Sequence, residues 1–353
     1  MPSLKCVVRG SINHDEYFFV DEITKPGETK SSKHHANRVG GKGANQAVAI
    51  ARAGGKVEFY GTVGKDGDWI VEEMKGHGID VAGILVSEEP TGRAIIQVSD
   101  DGENSIILFA GANHSEAHEK REKSSSESSW FPGASHLLLQ NEISFQSTLA
   151  SLERAKDEGL CTIFNPSPML SQAAIPDFPW EKVDWLLINE GEGLALLQGL
   201  AKQSDLFDAT GGMKVEMTDT EHPQPSKRAS ANEVIARLIQ LHPTFGTMNV
   251  VYTLGSEGVV AFVPSLDVAD RTVYVPAAKV EGGVKDTTGA GDCFAGYFIA
   301  GLMQRGEGGL RREDVVEILR VCNQAAGISV ESPGTIESIP TRAMVEARMV
   351  KLG

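Results

Sequence analysis

Residues 286 to 292 read Asp-Thr-Thr-Gly-Ala-Gly-Asp and run directly into Cys293-Phe294-Ala295-Gly296-Tyr297-Phe298-Ile299. Two acids bracket a turn too small and glycine-rich to carry side-chain chemistry of its own. Gly289 and Gly291 let the backbone take positive φ and approach a ligand closely. A helix that starts there points its unpaired N–H groups, and the positive end of its macrodipole, at whatever sits in front. The segment therefore makes an anion hole with the carboxylate of Asp292 at its edge. That pairing suits removing a proton from a hydroxyl that attacks a phosphate. The same residues also fit a plain helix start, with Asp as a cap and glycines for a turn.

Other polar groups stand where ligands are held. Gly40-Gly41-Lys42-Gly43-Ala44-Asn45 opens a helical pattern but satisfies neither GxxxxGK[ST] nor GxGxxG. Glycine backbone with a lysine and an amide can grip a polyhydroxylated ligand, or simply be a helix entry with Lys42 in solvent. Asn13 and Asp15 lie two apart, so in extended chain they face one side, as a sugar or an Asx-type turn would use them. Gln140-Asn141-Glu142 follows an apolar run. Asn189 and Glu192 have the spacing that shares one face of a helix's first turn, which fits a magnesium site held through water or an ordinary cap. Thr253-Leu254-Gly255-Ser256-Glu257-Gly258 joins two strand-like runs, as a phosphate cradle or a hairpin turn.

The elements that position these groups alternate. Short apolar runs at Leu4–Val8, Val57–Val63, Leu137–Leu139, Thr162–Phe164, Trp185–Ile188, Val250–Leu254 and Val259–Val263 read as strands. Helical patterns lie between them: Ala44, Ala47, Val48 and Ala51 share a face ended by Gly54-Gly55, and Ile235, Leu238 and Leu241 mark another. Such alternation predicts an α/β fold with a mostly parallel central sheet between helical layers, and ligands at the carboxyl ends of the strands. Two all-β stretches, 11–39 and 91–110, interrupt the rhythm and predict a small lid sheet, or two unrelated surface hairpins. Two polar stretches, 114–130 and 201–230, read as solvated mobile inserts.

Composition narrows the classes. The chain has 353 residues, 41% hydrophobic and 23% charged, as a globular protein does. A net charge of −15 argues against nucleic acid as partner, while leaving a nucleotide open. The four cysteines are far apart and suggest neither zinc nor disulfides; Cys6 and Cys161 read as buried thiols. There is no secretory signal and no membrane-length apolar run, so the expected setting is a reducing, intracellular one, the cytoplasm with the nucleus as a second compartment.

On the Gly40–Asn45 and Asp286–Asp292 motifs, in that order and spacing, the chain resembles the ribokinase family of sugar kinases, the PfkB-type carbohydrate kinases. Gly10–Asp15, Pro26–Thr29, Gly43–Ala47 and Ala110–Asn113 read like its ribose-phosphorylating members, and the likeness spans nearly the whole chain outside the inserts. The resemblance implies a three-layer α/β/α domain formed by 1–10, 40–90 and 111–353, with a β-sheet lid of 11–39 and 91–110 that also forms a homodimer interface. It implies ATP-dependent phosphorylation of D-ribose at O5, giving D-ribose 5-phosphate and ADP. Asp292 would be the base, and Gly289, Ala290 and Gly291 the anion hole. Asn13, Asp15, Gly41, Lys42, Gly43, Asn45 and Glu142 would bind the sugar. Asn189, Thr253, Gly255, Ser256, Gly258, Gly291 and Asn323 would line the nucleotide site, with Glu192 serving Mg²⁺. A K⁺ activator would sit at Asp286, Thr288, Ser329, Ser332, Gly334 and Ser338, with Asp286 facing away from Asp292. Two alternatives stay open: a related kinase for fructose, a nucleoside such as adenosine, or a keto-deoxy-sugar acid, and a non-catalytic sensor on the same fold.

Overall fold

The computed structural model describes residues 4–124, 129–201, 226–306 and 309–352. Among these, β1 (Lys5–Arg9) leads into β2 (Asn13–Val20) and β3 (His34–Gly40), then α1 (Lys42–Arg52), β4 (Lys56–Gly64) and α2 (Asp68–Gly76). Next come β5 (Ile84–Ser87), β6 (Gly92–Ser99), β7 (Asn104–Phe109), α3 (Ala117–Ser124), β8 (His136–Leu139) and α4 (Phe145–Asp157). There follow β9 (Cys161–Phe164), β10 (Trp185–Asn189), α5 (Glu190–Ala201), α6 (Lys227–Leu241) and β11 (Asn249–Thr253). The chain ends with β12 (Val259–Phe262), β13 (Thr272–Val275), α7 (Ala290–Arg305), α8 (Arg312–Ser329) and α9 (Arg342–Leu352).

Nine strands form the main sheet in the order β13-β12-β11-β10-β9-β8-β1-β4-β5. The pairs from β11 across to β5 are parallel; β12 and β13 add antiparallel at one edge. Parallel strands buried on both faces explain the unbroken apolar runs. Alternate side chains feed two cores: Val8, Leu138, Leu187 and Val251 pack with α1, α7 and α8, while Val7, Leu137, Leu186 and Val250 pack with α4, α5 and α6. From β1 the chain builds outward through β4 and β5, then returns to β8 on the other side. An open sheet gathers ligands at such a reversal.

The second sheet has the order β3-β2-β6-β7, so both predicted β stretches pair into one unit rather than two separate hairpins. Gly40 closes β3 instead of belonging to the main sheet. The expectation of solvated loops at 114–130 needs correction: Ala117–Ser124 is a helix, with His118 buried and its Nε2 at 2.9 Å from the Gly61 carbonyl. In the other insert, Ala201 and Lys227–Ser230 are helical, and residues 202–225 lie outside the described residues. Cys6 is buried as expected; Cys161 is only partly so. No helix among the described residues is long and apolar enough to cross a membrane.

Candidate active site

Helix α7 begins at Ala290, with Gly289 as its N-cap in the left-handed region at φ 76°. A Cβ on Gly289 would meet Thr335 Cγ2 at 2.4 Å, so both its backbone and its contacts require glycine. Gly291 corrects the expectation of positive φ at both glycines: it is helical, and an added Cβ there would enter open space. Its missing side chain instead leaves room in front of the helix N-terminus, where first-turn N–H groups lack intrahelical acceptors. Asp292 in that turn is buried.

Helices α1 and α7 pack closely. A Cβ on Gly296 would meet Ala49 Cβ at 2.3 Å and the Gln46 carbonyl at 2.8 Å. This contact brings two amides of α1 to Asp292: Asn45 Nδ2 donates to Oδ2 at 3.0 Å and Gln46 Nε2 to Oδ1 at 2.8 Å. The start of α1 is fixed from the strand ends. Glu142 Oε2, beyond β8, accepts from the Lys42 backbone N–H at 2.9 Å and from Ser11 Oγ at 2.6 Å, and Gly43 N–H donates to Ser11 Oγ at 3.2 Å. A Cβ on Gly43 would lie 2.5 Å from Ser11 N, so this glycine serves by close approach and lines no cavity described here.

A cavity of about 640 Å³ opens between the main sheet and the small sheet, walled by Asn13, Asp15, Gly41, Lys42, Asn45, Glu142 and Asp292. Asp15 sits over Gly40, where a Cβ would come within 2.0 Å of its carboxylate; its Oδ1 is buried without a hydrogen-bond partner. Burial, then Glu142 and Glu337, push the Asp15 carboxyl up to about 7 against the pull of Arg38. Lys42 is not in solvent. Burial works against its charge, but Asp292, Glu142 and Glu192 outweigh that and hold its ammonium above the usual lysine range.

Behind the α7 N-terminus lies a second cavity of about 140 Å³, lined by Lys42, Asn189, Glu192, Thr253, Gly289, Gly291 and Asp292. Asn189 ends β10 rather than starting the helix, and it shares a reciprocal cap with Glu192. Glu192 N–H donates to Asn189 Oδ1, and Asn189 N–H to Glu192 Oε2, both at 2.9 Å. Burial pushes the Glu192 carboxyl up, opposed by the Asn189 N–H, Ser167 and Lys42.

A third cavity of about 480 Å³ is mainly apolar, with Val280, Val284, Phe294 and Val330 beside Thr253, Gly255, Ser256, Gly258, Ala290, Gly291 and Asn323. Gly258 has φ 100°, and a Cβ there would meet the Val275 carbonyl at 2.2 Å. Asn323 Nδ2 donates to the Pro276 carbonyl at 2.8 Å and so ties α8 to this wall. Gly289, Gly291 and Asp292 between them line all three cavities, which makes the α7 N-terminus their meeting point.

The residues expected around a monovalent cation are brought together only in part. Asp286, Thr288 and Gly334 line the 640 Å³ cavity, as Asp292 does. Asp286 accepts from Thr288 N–H at 2.9 Å and Gly334 N–H at 3.0 Å. Burial works against its charge, but these N–H groups, the Thr288 hydroxyl and the Arg38 charge together hold its carboxyl low. Ser329 and Ser338 are buried, and their hydroxyls donate to the Ala326 and Thr335 carbonyls of their own turns; Ser332 is exposed. These three serines do not line the cavity.

Some residues at the site escape sequence reasoning. Gln46 was visible only as the neighbour of Asn45, and Asn165 only as a polar residue at the end of an apolar run. Gly40 and Asn113 were visible only within the Gly40–Asn45 and Ala110–Asn113 motifs, with no role of their own. Asn113 is buried; its Oδ1 takes the Ile12 N–H at 2.8 Å, and its Nδ2 donates to the Ile12 carbonyl at 3.0 Å and to Asn13 Oδ1 at 2.8 Å.

Known proteins share this sequence pattern and fold. The model for "pfkB family carbohydrate kinase" matches residues 3–342. The chain is 33% identical over 338 residues to the ribokinase of Haemophilus influenzae, covering 95% of each. Among solved structures it resembles ribokinase from Cryptococcus neoformans in complex with ADP, at 40% identity and TM-score 0.80, covering 99% of this chain and 100% of that one. It also resembles Arabidopsis thaliana ribokinase complexed with ribose and ATP, at 28% identity and TM-score 0.73, covering 98% of each.

Proposed function

The chain belongs to the pfkB family of carbohydrate kinases, and within that family we propose that it is a ribokinase, transferring the γ-phosphoryl group of ATP to O5 of D-ribose. The observation that carries this reading is the meeting of the three cavities at the α7 N-terminus. Ribose occupies the 640 Å³ cavity, where amide and carboxylate groups can pair with vicinal hydroxyls. The adenine moiety occupies the apolar 480 Å³ cavity, and the phosphates pass through the smaller one between them.

Phosphoryl transfer depends mostly on positioning and charge. Asp292 orients the ribose O5 hydroxyl and accepts its proton late. The O5–P bond forms as the bond from the γ-phosphorus to the bridging oxygen breaks, and that electron pair leaves on ADP. The N–H group of Gly291 faces the transferred phosphoryl oxygens, while that of Ala290 donates to the Thr287 carbonyl at 3.3 Å. Lys42, which lines both the sugar and phosphate cavities, adds a fixed positive charge there. The small sheet over the sugar limits water access and so hydrolysis of ATP.

Glu192 suits Mg²⁺: it is a buried carboxylate that lines the phosphate cavity, with Oε2 held by the Asn189 N–H. When bound, the ion would neutralise phosphate charge. For K⁺, Asp286, Thr288 and Gly334 are the residues brought together, and a K⁺ bound there would fix the loop before α7. The edge strand β7 carries Ile106, Ile107, Leu108 and Phe109 at 49 to 63% exposure, which supports a homodimer through the small sheet.

A coupled ADP-release assay with a panel of pentoses, deoxyribose, fructose and nucleosides, with and without K⁺, tests the reading. Ribose-dependent turnover raised by K⁺ is expected. Turnover on another acceptor alone would reassign the substrate, and binding without turnover would make the protein a sensor.

A further inference from the structure

Two amides hold Asp292, and they differ in where they stand. Asn45 lines the sugar cavity and its Oδ1 is buried without a partner, so it is available to a ligand. Gln46 is fully buried behind the carboxylate. Its Nε2 donates both to Asp292 Oδ1 at 2.8 Å and to Asn165 Oδ1 at 2.9 Å. Its Oε1 accepts from Gln140 Nε2 at 2.7 Å. Asn165 is held in turn by donating to the Leu187 carbonyl at 2.9 Å.

A side-chain amide has two N–H donors on one end and an acceptor oxygen on the other. Both Gln46 donors are engaged, and so is its oxygen. A half-turn of this amide would set its oxygen against two other oxygens and its N–H groups against a donor. In a dry site such a mismatch is costly. Three adjacent strands, β8 and β9 through the residues that follow them and β10 through the Leu187 carbonyl, therefore fix the orientation of one amide, and that amide fixes the carboxylate.

We infer that Gln46 is a positioning residue for phosphoryl transfer: it holds Oδ1 of Asp292 from the core, while Oδ2, bonded by the cavity-lining Asn45, is the oxygen that takes the hydroxyl proton. This rests on the reading of Asp292 as the base. It assigns Gln46 no contact with either substrate.

The test is a double-mutant cycle. We would measure kcat and the KM for ribose and for ATP in the wild type, Gln46→Met, Asp292→Asn and the double variant. Gln46→Met keeps the volume and loses the donors. It should lower kcat on the order of 10- to 100-fold, the scale of a misplaced catalytic group. Both KM values should stay within about threefold, and the loss in the Asp292→Asn background should be under about threefold, because residues acting as one unit are not additive. Gln46→Glu keeps the outline and the bond from Gln140 but sets an oxygen against Asp292; it should show the same split and the same non-additivity. The proposal fails if a folded variant keeps kcat within about threefold of wild type, raises KM instead, or loses the same factor in both backgrounds. If neither variant folds, Gln46 is a core residue only and the proposal also fails. Near-normal turnover by Asp292→Asn alone would instead overturn the base reading, which keeps the two failures distinct.

Discussion

The cavity proposed for ribose carries Asp15, Lys42, Glu142 and Asp292 on its walls, whereas the one proposed for adenine is walled by Ala277, Ala278, Val280, Val284 and Val330 and by glycine backbone. A sugar offers only hydroxyls, so its site must bring donors and acceptors into a dry space. Each such group then needs a partner of its own. Hence Glu142 holds Ser11 and the α1 N-terminus, and Asn113 holds Asn13. A base offers a broad apolar face, so its site needs area and close backbone approach. Damage on the sugar side should therefore act through misplaced charge, and damage on the nucleotide side through shape.

The largest effect should come where the two regions meet. Gly289→Ala puts a side chain on a left-handed residue and against Thr335. It should lower kcat on the order of 10²- to 10³-fold, as losing an anion-hole donor does, and disturb both KM values. Movement of one KM alone would mean that α7 serves only one ligand. Next, Gly40→Ala drives a Cβ into the Asp15 carboxylate, at 2.0 Å. The KM for ribose should rise on the order of 10-fold or more while that for ATP holds, since Asp15 lines the cavity proposed for ribose and neither of the other two. The mirror case is Gly258→Ala, at φ 100° and 2.2 Å from the Val275 carbonyl. Strain of about 1–3 kcal/mol should appear as lower thermal stability, with the KM for ATP raised and that for ribose kept. Crossed effects in steady-state kinetics of these two variants would erase the division between the regions.

The smallest effect is electrostatic. The fold raises the Asp15 carboxyl from 3.8 to about 7. Its stabilising contribution is thus complete below about pH 3.8 and is lost as pH climbs through about 7. Asp15→Asn lacks that loss. Its Tm should gain on the wild type between about pH 5 and 7 and then level off. A Tm difference that stays constant over the range would detach the titration from Asp15.

Much of this was legible in the sequence because the physics is local. Buried parallel strands read as unbroken apolar runs, and the Gly289 turn and the entry to α1 announce themselves by glycine. The edge strands β5 and β13, four residues each, were too short and mixed to stand out. Helix α3 was hidden by its polarity, since one buried histidine rather than an apolar stripe seats it. The support behind Asp292 was the least visible part. Gln46 reaches Asp292 across 246 positions and Gln140 across 94, and no local pattern encodes such a pairing. Nor does any local pattern show that Asp286 and Asp292 line one cavity.

The central claim is that Asp292 serves the chemistry rather than the binding of either ligand. Calorimetric titration of Asp292→Asn with ribose and with ATP, beside single-turnover rates at saturation, tests it directly. The account predicts Kd values within about threefold of wild type and a rate lower on the order of 10²- to 10⁴-fold, the range of a lost general base. A rate within a few-fold of wild type, or a loss traced wholly to weakened ribose binding, would contradict it.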